Sequence, residues 1–143
     1  MAPLKTVKIV NIEKKQTQQV TCGSVTLVNA DIRRSISEYN DARLDYSIQL
    51  FTVHQPIPLG NHYHTKKFEV FVILEGEGML TSCAVDTQGN RIGRRATKTI
   101  TAPFTIRIEP YTAHAFILHP GSKMLCYSSK SYDHSDLVAF RLI

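Results

Sequence analysis

Short runs of β-branched and aromatic residues recur along this chain roughly every 8 to 12 residues, each closed by a turn signal, and no stretch sustains the apolar period of a long helix. That spacing leaves room for an all-β sandwich or barrel and little else. Strands are expected near residues 5–12, 23–30, 46–54, 68–76, 78–86, 97–102, 104–109, 113–119, 123–130 and 137–143. The punctuation between them agrees. In "QPIPLGN", residues 55–61, two prolines remove ladder donors and exclude a central strand. "DTQGN", residues 86–90, is hairpin chemistry, and "HPGSK", residues 119–123, is another tight turn. The one segment that reads as helical is "ADIRRSISEYND", residues 30–41.

A chain of 143 residues is the size of one domain and can bury a core without disulfides. Residues 1–143 are therefore expected to form one domain, with the barrel core at about 45–128. Cys22, Cys83 and Cys126 are odd in number and widely spaced, which indicates neither a disulfide framework nor a zinc knuckle but buried small apolar residues. No apolar run approaches the roughly 20 residues that span a bilayer, so no membrane partner is expected. The N-terminus carries a charge every few residues and lacks a secretory h-region, which makes the cytoplasm the expected location. The net charge of +5 is scattered, densest in "RIGRRATK", residues 91–98, a cluster suited to an anionic small molecule. Nucleic acid is not an expected partner: the basic residues are not interleaved with aromatics, and no helix is long enough to read a groove.

Strands that close on themselves offer a cavity, so the informative residues are polar ones pointing inward. In "GNHYHTKKFEVFVILEGEG", residues 60–78, His62 and His64 are spaced i and i+2 and so share a face of an extended chain. Glu69 shares a face with Phe71 and Ile73, and His114 shares one with Phe116 and Leu118. A carboxylate or imidazole on an apolar face is costly unless paired or coordinated. Three imidazoles and one carboxylate suit a divalent first-row metal with positions left open, and zinc, iron, manganese and nickel are not distinguished by such a set.

The segment 60–76 resembles the first motif of the cupin superfamily, H-x-H, three or four residues, E, six residues, G, met here by His62, His64, Glu69 and Gly76. "IEPYTAHAF", with Pro110 and His114, is similar to the second cupin motif. The match is incomplete: Pro56 and Tyr111 stand where the motifs carry glycines, and Leu118 where the second ends in asparagine. The resemblance implies a cupin jelly-roll β-barrel or sandwich, with His62, His64, Glu69 and His114 as metal ligands.

Three further segments resemble the carbohydrate-processing cupins, which include dTDP-sugar epimerases and ketoisomerases and capsular-sugar enzymes. They are "DIRRSISEY" at 31–39, "GNHYHTKKFE" at 60–69 and "SSKSYDHSD" at 128–136. This resemblance implies an isomerase or epimerase acting on a nucleotide-linked keto-sugar by imidazole-mediated proton transfer, with His64 as base and His62 beside it. Tyr46 or Tyr111 could donate a hydrogen bond to the enolate, and Arg33, Arg94, Arg95 and Arg107 are candidates for a diphosphate. An iron-dependent dioxygenase and a non-catalytic sugar or small-molecule binder stay open as alternatives, because fold alone does not choose among them. A homodimer is expected, since exposed edge strands such as "KTVKIVNI" call for a partner or a cover.

Overall fold

A computed structural model describes residues 5–11, 16–41, 43 and 45–143 of the chain. Strand propensity and turn chemistry produce β1 (Lys5–Asn11), β2 (Gln16–Cys22), β3 (Ser24–Ala30), β4 (Arg34–Asn40), β5 (Ser47–Val53), β6 (Leu59–His64) and β7 (Glu69–Glu75). They continue as β8 (Glu77–Val85), β9 (Arg91–Thr101), β10 (Phe104–Ile108), β11 (Thr112–Leu118), β12 (Lys123–Ser128) and β13 (Leu137–Ala139), with a single 3₁₀ turn at His134–Asp136. A six-stranded sheet has the order β10-β7-β12-β5-β4-β3, and a five-stranded sheet the order β13-β6-β11-β8-β9. All pairings are antiparallel, and β1 and β2 pair with each other as a separate hairpin. The architecture is an all-β, two-sheet jelly-roll sandwich, and the described strands do not close by hydrogen bonds into a barrel.

The two inner faces interdigitate as facing sheets must. Val53, Leu59, Phe71, Ile73, Phe116 and Leu118 lead a cluster that fills the space between them. Because side chains alternate, the other face of β8 and β11 is apolar too: Cys83, Val85, Ala113 and Ala115 pack with Tyr63 and with Leu142 from the end of the chain. Cys83 and Cys126 are buried free thiols, and the side chain of Cys22 lies outside the described residues.

Two expectations are corrected. Residues 34–40 of the expected helix form β4, bonded between β3 and β5 with Ile36 buried, so pairing on both sides overrides a local pattern that could serve a short helix. The prolines at 56 and 58 do precede a central strand, since β6 starts at Leu59, immediately beyond them, and lies between β13 and β11. The basic cluster at 91–98 is part of β9, an edge strand exposed along nearly its whole length. In addition, β2 is a strand not anticipated from sequence, and it pairs with the N-terminal strand expected to need a cover. Among the described residues no helix is long and apolar enough to cross a membrane.

Candidate metal centre

Two backbone features bring the centre together. Gly60 adopts φ +108, and a Cβ there would lie 2.6 Å from the carbonyl oxygen of His114, so glycine lets β6 run tightly against β11. Asn61 follows at φ 56, and its Oδ1 accepts from the backbone N–H groups of Leu142 and Ile143. This irregular entry places His62 opposite His114 across the ladder and turns His62 and His64 to the inner side, while Tyr63 faces the outer cluster. Glu69 opens β7 in the facing sheet.

The four side chains converge. His64 Nε2 is 3.4 Å from Glu69 Oε1, and His114 Nε2 is 3.3 Å from Glu69 Oε2. The His62 ring centre stands 4.9 Å from that of His64 and 4.8 Å from that of His114. The ligand atoms of His62, His64 and Glu69 all lie within 4.8 Å of one another. His114 stands against the other oxygen of the same carboxylate, outside that tightest group of three. His64 and His114 are buried, so the centre is on the cavity floor and not at the mouth.

Hydrogen bonding fixes which atoms face inward. His64 Nδ1 lies 3.0 Å from the carbonyl oxygen of Asp136, and His114 Nδ1 lies 3.1 Å from that of Thr112. Carbonyls only accept, so each Nδ1 carries a proton, and the neutral form of each ring has its lone pair at Nε2, facing the centre. Those lone pairs meet a carboxylate that is also an acceptor. His64 Nε2 and Glu69 Oε2 are indeed buried without a hydrogen-bond partner. An acceptor facing an acceptor in a buried site calls for a cation between them.

The ionisation states agree. Burial first, and then the neighbouring His114 and His64, lower the pKa of His62 to about 4, so the ring is neutral and ready to ligate at physiological pH. Burial acts to raise Glu69, yet hydrogen bonds and positive charge from His114 and His64 outweigh it and hold the carboxyl far below its usual range; these require a proton between ring and carboxylate, the place a divalent ion would take. Ser128 Oγ donates to Glu69 Oε1 at 3.4 Å from beneath. The donor set, two or three imidazoles and a carboxylate, is that of a divalent first-row ion, so the cluster can coordinate one.

Two residues of the site stand outside the expected site set, although Asp136 ends the segment 128–136 and Lys67 lies in the segment 60–69, both singled out by resemblance. Asp136, on the 3₁₀ turn, sends its carbonyl to His64 while its Oδ1 accepts from Thr65 N, Thr65 Oγ1 and Lys66 N, each at 2.8 Å. Such an outer partner sets the ring's orientation and tautomer. Burial works against the Asp136 charge, but the bonds from Thr65 and Lys66 prevail and keep its pKa low. Lys67 is the other: it is 7% exposed, with Nζ 3.8 Å from Glu69 Oε1.

A cavity of about 600 Å³ opens above the centre. His62, His64, Glu69, His114 and Lys67 form its polar floor, Phe51, Leu59, Phe71 and Phe116 its apolar wall, and Arg33, Glu38 and Tyr132 line it elsewhere. Of the other residues singled out in the sequence, only Arg33 lines this cavity. Arg107 stacks on Phe68 at 3.7 Å and pairs with Glu109, and Tyr46 packs on Tyr127. Tyr111 stacks on Tyr63, and Arg95 bonds the Leu142 carbonyl. Arg94 is exposed on β9. Tyr46, Tyr111, Arg94, Arg95 and Arg107 are not among the residues that line this cavity.

No family model and no curated protein sequence matches the chain. Solved structures do. The capsular polysaccharide assembling protein CapF from Staphylococcus aureus superposes with a TM-score of 0.69 at 15% identity, over 83% of this chain and 33% of that one. Pac13, a nucleoside dehydratase, gives 0.60 at 10% identity over 85% and 87%. ChmJ, a 3'-monoepimerase from Streptomyces bikiniensis in complex with dTDP, gives 0.56 at 17% identity over 63% and 48%. The chain thus spans about a third of the CapF structure. At these identities the likeness shows the fold: this chain has the cupin jelly-roll fold.

Proposed function

We propose that the protein is a metal-assisted isomerase or epimerase that moves a proton on a small keto-sugar. The observation that carries this reading is the convergence of His62, His64, His114 and Glu69, with buried unpartnered acceptors, on the floor of an open cavity of about 600 Å³. That volume accommodates a sugar. CapF, a capsular polysaccharide assembling protein, and ChmJ, a 3'-monoepimerase, share the fold and support the carbohydrate reading.

A divalent ion held there would polarise a carbonyl oxygen. The chain's own contribution is to hold and to exchange a proton. If His64 is not itself a ligand, its Nε2 lone pair is the one placed to exchange the proton, because the Asp136 carbonyl holds Nδ1 as its N–H side. His62, with its pKa at about 4, is a weak base and serves as a ligand. The apolar wall limits water around the reacting carbon.

The test is incorporation of solvent deuterium at carbon next to the ketone of a keto-sugar by the zinc- or manganese-loaded protein, with and without oxygen. Exchange that is independent of oxygen supports the reading. Turnover that consumes oxygen on iron loading replaces it with the dioxygenase. Both duties of His64 use the Nε2 lone pair, and His64→Asn separates them. Retained ion with lost exchange makes His64 the base; loss of both makes it a ligand.

A further inference from the structure

The floor holds one charged group that the ion-holding set does not use. Lys67 is 7% exposed and lines the cavity. Among the described residues its Nζ makes no hydrogen bond, and its one ion pair is with Glu69 Oε1 at 3.8 Å, beyond hydrogen-bond reach. The stem is buried while the ammonium reaches the cavity, so cavity water and Glu69 share its charge until a ligand displaces that water. Once Glu69 shares its charge with a divalent ion, Lys67 loses most of that partner.

Charge balance then states what is missing. Glu69 and, behind His64, the buried Asp136 carboxylate against Lys67 leave the centre at minus one, and a divalent ion brings it to plus one. Near the mouth, Arg33 and Arg34 both turn to Asp31, and Glu38 lines the same wall, so those four groups balance. The arginine forks, which suit phosphate, are thereby engaged. A single ammonium beside an ion answers to one negative charge.

We propose, resting on the ion-site reading above, that Lys67 is the carboxylate-receiving group of the cavity and that the substrate is a sugar acid or a similar hydroxy- or oxo-acid with one negative charge. Lys67 meets the carboxylate, and the rest of the molecule lies along the apolar wall towards Phe51.

Calorimetry on the full zinc-loaded chain tests this with glucuronate, its uncharged amide and inorganic phosphate as probes. Glucuronate should bind at least about tenfold more tightly than the amide or phosphate. Lys67→Met should abolish that preference and, by removing a like charge, bind zinc several-fold more tightly, whereas Lys67→Arg should keep the preference. Equal binding of glucuronate and its amide by the wild type overturns the proposal without recourse to any variant. So does a preference for phosphate, or a Lys67→Met protein that still prefers glucuronate. Zinc binding without the carboxylate preference sinks this proposal alone; failure of the wild type to bind zinc sinks the ion-site reading with it.

Discussion

Replacing Asp136 with alanine removes the acceptor of three hydrogen bonds at once, those from Thr65 N, Thr65 Oγ1 and Lys66 N. Asp136 is 2% exposed, so water does not readily take its place. Hydrogen bonds to a charged group contribute about 1.5 to 3 kcal/mol each, and a buried donor left unpaired costs a similar amount. Thr65 is half-buried and Lys66 exposed, and the Thr65 hydroxyl can rotate to water, so the lower end applies to each. The expected loss is about 4 to 5 kcal/mol, or a melting point lower by roughly 10 to 15 °C for a chain of this size. Asp136→Asn keeps the oxygen acceptor and loses only the charge, for about 1 kcal/mol. Urea denaturation of the ion-free protein at neutral pH, paired with a thermal melt, measures both. The charged-acceptor contribution should persist above the unfolded carboxyl's ordinary value of 3.8 and disappear as pH falls through the lower folded value. An Asp136→Ala protein within 1 kcal/mol of wild type would refute the reasoning that this carboxylate locks the β6–β7 loop to the 3₁₀ turn.

His114→Ala should lower ion affinity by more than tenfold while the far-ultraviolet circular dichroism stays that of β-sheet. Its buried ring packs on Phe71 and Phe116, so urea denaturation should also show a loss of about 2 kcal/mol. Gly60→Ala forces a Cβ against the His114 carbonyl at positive φ, and should cost about 2 to 4 kcal/mol with impaired ion binding, read by urea titration and calorimetry. In the ion-free protein the His62 ring should stay neutral until pH nears 4, as followed by nitrogen-15 chemical shifts of the imidazole. Its folded pKa lies below the unfolded 6.5, so its contribution to stability is whole above 6.5 and falls as pH drops towards 4.

Alternation carried most of what the sequence could disclose. A two-residue period places His62 with His64, and Glu69 with Phe71 and Ile73, whatever the register of the sheet, so the centre and its apolar surroundings are legible one strand at a time. Partners brought by the fold are not. Asp136 reaches His64 from 72 positions away, by an oxygen of its backbone that no residue type advertises. Lys67 stands next to Lys66 in what reads as an exposed charged pair, yet Lys66 is exposed and Lys67 buried, because the loop between β6 and β7 turns one out and the other in. Arg94, Arg95 and Arg107 have the guanidinium fork that suits a diphosphate, but residue type does not say which face of a strand a side chain occupies. Residues 34–40 show the same limit: spacing there admits a helix, and only pairing with β3 and β5 decides for a strand.

The central claim is that His62, His64, His114 and Glu69 hold one divalent ion. Metal stoichiometry by mass spectrometry, on protein purified without chelators and then titrated with zinc and with manganese, tests it most directly when wild type is set beside Glu69→Gln. One ion per wild-type chain, falling to a small fraction of that in a folded Glu69→Gln protein, is the predicted result. No bound ion in wild type, or an equal content in the Glu69→Gln protein, would contradict it.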